Sequence, residues 1–532
     1  MKQHKVDNAI ILAAGIGERA VPLTMETPKG LLKVFGVPML ERQIEQLLEK
    51  GISEIIIVVG YMKECFDYLI DKYGVKLIFN PEFASKNNLS SLYCVREHLR
   101  GSYLLMSDNY IENNIFSQEE SDSWFSGVFY SGKTEEWVVS EYTQAGAIRR
   151  IDIGGADAFA IQGPAYFSPE FSAVFRDFLE EYYAKTEAID YYWEHILKLE
   201  TEKLPPMFIK DTTGNVHEFE NLEELRQYDR SYFTETNNRV IAKIAEVLSC
   251  SHGDIHDISV VKTGMNNRSF KFYIGDKPYI FRMPGADMSK LVDREIEKQA
   301  YDKLAESNIT DKTVYFDGKT GIKISEFLEN SRMADCASDE DLKLSMQSVH
   351  LFHDQNVVLT TDRTIETETY RYIDLANELN AIRFSDFDEI LLKMQELFEI
   401  KKKLGIKEGL CHGDYAHVNI LILPDGRAKI IDLEFVINCD PILDVSMYAI
   451  FAEFERERID LCLEYYLGRK PTREEQFRLY LYVSLSAFRW AIWAEYKQAG
   501  GSEFGDYTLT QIRFAKDYYN ILKKEFPEFF ND

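Results

Sequence analysis

The order of apolar runs along the chain limits its fold more than any single residue does. Residues 9–14, 55–59, 75–79 and 103–106 are short and rich in strand-forming side chains. Between the first two, Pro38 to Lys50 repeats its apolar residues at helical spacing until Gly51 stops it. Strand, helix, strand in that order predicts a parallel α/β sheet. From about residue 234 the rhythm changes. Strand-like pieces at 258–262, 269–274 and 278–283 predict hairpins, and long helical stretches follow at 338–354, 385–404 and 474–498. That is the order of a small β-rich lobe followed by a helical lobe. Residues 218–230 read as the last helix of the first part and 231–238 as a polar junction. The chain is therefore expected to hold two unlike domains, 1–230 and 231–532, with no internal repeat.

The length of 532 residues suits this division, since such a chain carries roughly two to four domains. With 88 acidic and 61 basic side chains the net charge is −27. That argues against a protein that works by neutralising many phosphates of a nucleic acid, and against electrostatic attachment to an anionic bilayer. Small anionic substrates stay open if local basic groups receive them. The apolar run at 9–14 is too short for a signal sequence, and no segment reaches the about 18 uninterrupted apolar residues of a membrane-spanning helix. A soluble cytoplasmic protein without membrane insertion is expected. The seven cysteines are scattered without a Cys-x-x-Cys pair, so buried reduced thiols are expected rather than disulfides or a zinc site.

The first chemical motif follows the first strand. Leu12-Ala-Ala-Gly-Ile-Gly-Glu-Arg19 leaves an apolar run for a glycine loop, and Thr27-Pro-Lys29 comes next. Backbone amides exposed around Gly15 and Gly17 can approach triphosphate oxygens, while Arg19 and Lys29 can neutralise the charge of departing pyrophosphate. A dinucleotide site would want a third glycine where Ala20 stands, and has no use for the Pro-Lys element. The whole string resembles the nucleotidyltransferases that activate sugar phosphates and phospho-alcohols, over residues 6–230. Segments 59–64, 87–93, 107–110, 136–137 and 189–193 resemble the CTP:phosphocholine cytidylyltransferases of bacteria. The resemblance implies a Rossmann-like mixed sheet and a CTP site made by Leu12, Ala13, Ala14, Gly15, Gly17, Arg19, Lys29, Asn88 and Ser91. It also implies magnesium held by Asp108 and Asp190. Trp137, Tyr191, Tyr192 and Trp193 offer faces to a quaternary ammonium, which has no N–H to donate and is bound by cation–π attraction.

The second motif is Leu410-Cys-His-Gly-Asp-Tyr-Ala-His-Val-Asn419, followed by Lys429-Ile-Ile-Asp-Leu-Glu434. An aspartate to accept a hydroxyl proton, an asparagine five positions on and a metal-binding aspartate on the next hairpin are the parts of a kinase-like phosphotransferase. Gly413 in place of arginine, and Asp432-Leu-Glu434 in place of Asp-Phe-Gly, resemble the choline/ethanolamine kinases and aminoglycoside phosphotransferases over residues 237–532. The resemblance implies a bilobal protein-kinase-like α+β domain. Asp414 would be the catalytic base, Asn419 and Asp432 magnesium ligands, and Glu434 a helper. The loop Thr263 to Phe270, with Asn267, would cover ATP. Arg282 would meet its phosphates, paired with Glu295 or Glu297, and the hinge at Glu326 and Phe327 would hold adenine. Trp490 and Trp493 lie three apart on one helical face and would form a choline cage with Tyr448 and Glu453. His350 and His353 lack a third ligand and predict no metal site.

Together these implications describe a bifunctional enzyme using ATP, CTP and magnesium to turn choline into phosphocholine and then CDP-choline. The same reactions on ethanolamine, phosphoethanolamine or an aminoalkyl phosphonate are the alternative. Tryptophans favour choline, since a primary ammonium prefers hydrogen-bond acceptors. A homo-oligomer is compatible with the sequence and not specified by it.

Overall fold

All six residues of strand Asn8–Ala13 are buried, as expected of a sheet covered on both faces. The computed structural model describes residues 3–234, 237–261, 267–285, 288, 290–502 and 504–530. In it, alternate residues of this strand enter two different cores. Ile10 and Leu12 pack with Leu89, Leu92, Phe171 and Phe175, from helices Asn88–Cys94 and Pro169–Tyr183. Ala9, Ile11 and Ala13 pack with Leu40, Ile44 and Leu47 of helix Met39–Glu49.

The chain forms two compact units, 1–260 with 272–275, and 261–271 with 276–532. In the first, seven strands run in the order Met207–Asp211, Ser123–Tyr142, Ile148–Phe167, Ser102–Met106, Asn8–Ala13, Ile55–Val59, Lys76–Phe79. Asn8–Ala13 is parallel to both neighbours, which agrees with the strand, helix, strand reading. The other half of the sheet is an antiparallel hairpin of two twenty-residue strands. Its polar middle, Ser131 to Glu136, hides the alternation that would have announced it. The helix expected over 218–230 is shorter. Val216–Glu218 is instead a strand paired with Asn109–Ile111, and the helix Leu222–Tyr228 starts only after Asn221, whose side chain accepts the Glu224 amide.

In the second unit, strands Lys277–Pro284, Lys323–Glu326 and Thr313–Phe316 form antiparallel pairs. Helices Asp339–His353, Phe387–Lys403 and Arg473–Ala499 match the three predicted stretches, and Ile365–Glu378, Ile442–Phe451, Arg456–Leu467 and Tyr507–Glu525 join them. Arg473–Ala499 is buried on nearly all sides through its middle, so it lacks the one-sided pattern of a surface helix. Its start is fixed by a capping box between Thr472 and Glu475.

Cys411, Cys439 and Cys462 are buried, as expected. Cys65, Cys94, Cys250 and Cys336 are only half-buried, and all seven are free thiols. The half-buried ones lie in turns or at helix ends, where packing is incomplete. Among the described residues, no helix is long and apolar enough to cross a membrane.

Candidate active sites

Strands Asn8–Ala13 and Ser102–Met106 are parallel neighbours, so the segments leaving them, Ala14 to Arg19 and Ser107 to Asp108, meet at one sheet edge. There they border a cavity of about 820 Å³. Gly17 turns the first segment at φ +68°, and a Cβ at that position would stand 3.0 Å from the Thr24 methyl carbon. A larger residue would be strained there. Leu12, Ala13, Ala14, Gly15, Gly17, Arg19, Lys29, Asn88, Ser91, Asp108, Asp190 and Tyr192 all line this cavity.

Inside it, Lys29 Nζ donates to Asp108 Oδ2 at 2.7 Å and stands 3.7 Å from Glu218 Oε1. Burial disfavours the ammonium, but Asp108 and Glu218 outweigh burial and raise its pKa. Burial also pushes Asp108 up, and the Lys29 charge more than reverses it. Glu218 is pushed up to about 8 by burial and then by the charge of Asp108. Arg19 is exposed and paired with Glu220. Crowded carboxylates of this kind, together with Asp190 in the same cavity, are the hard oxygen donors that suit magnesium. Glu218 and Glu220 escaped the sequence reading because they were assigned to a helix. The alternation from Val216 to Glu220 was the available signal of a strand.

The four expected aromatic faces separate. Trp193 is 1% exposed and packed in the core, stacked 5.2 Å from Phe125 and edge-on to Phe167 and Phe175. It is therefore a core anchor and not a cage wall. Trp137, Tyr191 and Tyr192 gather around His195, at ring separations of 4.7, 4.4 and 6.0 Å, and only Tyr192 lines the cavity. Glu194, unforeseen although adjacent to the motif, also lines it. Burial pushes its carboxyl up to about 7, and Oε2 has no hydrogen-bond partner among the described residues.

In the second unit, antiparallel pairs Gly409–Cys411 with Ile437–Cys439, and Ile420–Ile422 with Ala428–Ile430, bracket the loop 412–419 and bring Asp432 beside it. Asp444 ties the loop down, accepting the His412 amide at 2.7 Å and the Gly413 amide at 2.9 Å. Asn419 Nδ2 donates to the Asp414 carbonyl at 2.9 Å and to Asp414 Oδ2 at 3.3 Å. Burial and then the charge of Asp432 raise the Asp414 carboxyl well above its usual range. Asp432 itself sits at φ +66°, and burial and Glu434 push it up to about 7. Arg282 Nη1 stands 2.6 Å from Glu297, 3.3 Å from Asp432 and 3.6 Å from Glu434. Of the two candidate partners, Glu297 takes the arginine, while Glu295 is exposed. Asn267 Nδ2 and Arg294 Nη1 both donate to Glu434 Oε1, at 2.9 and 2.6 Å. Oxygens of Glu297, Asp432 and Glu434 lie within 4.8 Å of one another, again a donor set for a hard cation.

Other expected groups fall differently. The Phe327 amide donates to the Pro278 carbonyl at 3.1 Å, which takes that N–H out of adenine recognition. The Glu326 carboxylate is held by Lys277 and Lys312. Residues 263–266 of the expected ATP-covering loop lie outside the described residues. Trp490 and Trp493 meet edge-on at 5.2 Å. They are joined by Phe451, 5.3 Å from Trp490, and by Phe504, 5.4 Å from Trp493, with Tyr507 beyond it. Tyr448 is buried against Tyr415 and Phe454 instead. Glu453 is exposed, although its charge still bears on Tyr507. His353 Nε2 stands 2.9 Å from Asp444 Oδ2 and its Nδ1 2.9 Å from the Tyr466 hydroxyl. Atoms of His353, Asp444 and Cys411 lie within 4.8 Å of one another, but the Asp444 oxygens already serve the loop amides.

Comparison with known proteins agrees with this division. Residues 9–108 match the MobA-like NTP transferase domain, and residues 341–478 match the phosphotransferase enzyme family. The first part is 37% identical over 222 residues to the choline-phosphate cytidylyltransferase of Streptococcus pneumoniae, covering 42% of this chain and 96% of that protein. It is 35% identical over 229 residues to the 2-aminoethylphosphonate cytidylyltransferase of Lancefieldella rimae, covering 42% and 93%. The second part is similar to the crystal structure of choline kinase LicA from Streptococcus pneumoniae, with 23% identity, a TM-score of 0.47, and coverage of 53% of this chain and 98% of that one. The chain belongs, through its first part, to the cytidylyltransferase family that includes choline-phosphate cytidylyltransferase, and joins to it a second part of the phosphotransferase enzyme type.

Proposed function

We propose that the chain makes CDP-choline in two consecutive reactions, with the domain boundary near residue 230. The second part moves the γ-phosphoryl group of ATP to choline, and the first part joins phosphocholine to CTP with release of pyrophosphate. The observation that carries this reading is the run of rings Phe451, Trp490, Trp493, Phe504 and Tyr507, in the same unit as Asp414. A cation without N–H donors finds its attraction on such faces.

In the kinase step, Asp414 takes the proton of the choline hydroxyl as that oxygen attacks the γ-phosphorus, and Arg282 meets the phosphates of ATP. Asn419, Asp432 and Glu434 are the residues proposed to hold magnesium, which supplies charge neutralisation when bound. In the cytidylyl step the phosphate of phosphocholine attacks the α-phosphorus of CTP in line, without a covalent enzyme intermediate. Lys29 stays charged among its carboxylates and stabilises the departing pyrophosphate. Arg19 assists after leaving Glu220. Asp108 and Asp190 are the proposed magnesium residues here, with Glu218 beside them. Glu194 and Tyr192 receive the cationic head of the substrate.

Glu194 also supports a second reading, in which the first part acts on an aminoalkyl phosphonate, since a primary ammonium needs an acceptor and the free Oε2 supplies one. Competition decides between them. With CTP and magnesium, the first reading expects phosphocholine to be used in preference to phosphoethanolamine and 2-aminoethylphosphonate. The reverse order would establish the second.

A further inference from the structure

One buried arginine of the second unit makes no ion pair among the described residues. Arg489 lies in the middle of helix Arg473–Ala499, next to Trp490, and is 0% exposed. Its Nε, Nη1 and Nη2 have no hydrogen-bond partner among the described residues. Other buried or half-buried arginines of this unit are all matched: Arg294 to Glu297 and Glu434, Arg363 to Glu368, Arg478 to Asp440. The guanidinium carbon of Arg489 is 5.2 Å from the centre of the Trp490 ring and 5.5 Å from that of Tyr372. Two ring faces balance part of the charge, but they leave five N–H donors unmet. Glu368 is near enough to feel the charge, yet it is bonded to Arg363 and Arg371.

The position of this unmet group suggests what it awaits. Trp490, over whose ring Arg489 lies, packs edge-on to Phe435 at 5.3 Å, and the Phe435 carbonyl stands against Gly413, the neighbour of Asp414; in keeping with this, the charge of Arg489 acts on Asp414, partly opposing burial, and on Tyr507. A planar fork of donors, short of an anion, thus stands near the aspartate proposed as base and beside the tryptophans proposed for choline. The substrate cation has no use for it. On the kinase reading, the anion that comes to the loop of Asp414 is the phosphoryl group in transit.

We propose that Arg489 binds the transferred phosphoryl group, donating to its oxygens in the transition state and in the phosphate ester formed. This rests on the kinase reading above and adds a catalytic residue to it. The bond between the γ-phosphorus and the β–γ bridging oxygen breaks, the bond from phosphorus to the choline oxygen forms, and the hydroxyl proton passes to Asp414. ADP departs. Arg489 supplies charge without exchanging a proton.

The test uses the full chain with Arg489→Met, Arg489→Lys and Arg489→Ala, assayed with choline, ATP and magnesium. The cytidylyl reaction of the same preparations serves as the folding control. Kinase kcat is expected to fall about 100-fold in Arg489→Met, with KM for choline changed by less than about threefold. Added guanidinium ion is expected to restore part of the rate in Arg489→Ala. Tm of Arg489→Met is expected not to fall, because an apolar side chain replaces a buried unpaired charge. Retained kcat, or a change confined to KM for choline, would overturn the proposal. So would a lowered Tm with no guanidinium rescue, which marks a structural residue. Wild-type chain that phosphorylated no choline would remove the kinase reading and this inference with it. Wild-type turnover matched by Arg489→Met would remove the inference alone.

Discussion

His353 Nε2 stands 2.9 Å from Asp444 Oδ2, and the two oxygens of Asp444 carry the backbone amides of His412 and Gly413. The two histidines, for which the sequence predicted no metal site, are thus split. His353 steadies the carboxylate that shapes the loop bearing Asp414, and His350 sits in another setting, 3.4 Å from Asp354. Replacing Asp444 by alanine would strand two amides in a dry interior, each at about 1–3 kcal/mol. The expected outcome for Asp444→Ala is loss of kinase turnover with the cytidylyl reaction kept. Equal loss of both activities would speak against a local role.

Gly413 tests the same loop from the backbone side. It holds φ +73°, and a Cβ would stand 2.1 Å from the Phe435 carbonyl oxygen. Gly413→Ala is expected to destabilise the second unit by more than the about 1–2 kcal/mol of left-handed backbone alone, since the neighbouring strand must also shift. Thermal unfolding together with the kinase rate checks this, and an unchanged Tm would contradict the close approach.

Contiguous strings made much of both sites legible. Residues 12–19 and 410–419 carry their geometry in sequence order, because a strand end and a tight loop are local objects. Groups that arrive from far along the chain were not legible. Glu218 is aligned by pairing with Asn109, and Phe504, with Tyr507 beyond it, meets Trp493 only because the segment entering the last helix, Tyr507–Glu525, packs back on Arg473–Ala499. Trp193 shows the opposite failure. Next to a useful Asp190 it looked like a ligand face, but helical geometry turns it into the core. Even the long hairpin was hidden, since its outer part is solvated and has no apolar rhythm.

Lys29 is the cation most deeply embedded in the first cavity, with Asp108 at 2.7 Å. Lys29→Met is expected to lower cytidylyl kcat by about 100-fold to 1,000-fold and to leave the kinase rate unchanged. Steady-state rates of both reactions on one preparation decide it, and a loss confined to KM for CTP would contradict a role in the reaction itself.

Acid stability should depend on Glu368. Burial alone would raise its carboxyl, but hydrogen bonds from Arg363 and Arg371 hold it at about 2, below the ordinary 4.5. Its folded-state pKa is depressed, so its contribution is complete above about 4.5 and disappears as pH falls through that window toward 2. A shift of this size corresponds to a contribution on the order of 3 kcal/mol. Glu368→Gln is therefore expected to flatten the fall in denaturant stability between about pH 5 and about pH 2. A variant with the wild-type pH slope would remove Glu368 from the account.

The central claim is that two separate sites act in sequence on one head group. Phosphorus NMR of the full chain with choline, ATP, CTP and magnesium measures this most directly, using wild type, Asp414→Ala and Asp108→Ala. The account predicts CDP-choline from wild type. It predicts no phosphocholine from Asp414→Ala unless phosphocholine is supplied, which that variant then converts to CDP-choline. Asp108→Ala should accumulate phosphocholine. Wild type that forms CDP-choline only from added phosphocholine, or either variant losing both reactions, would contradict it.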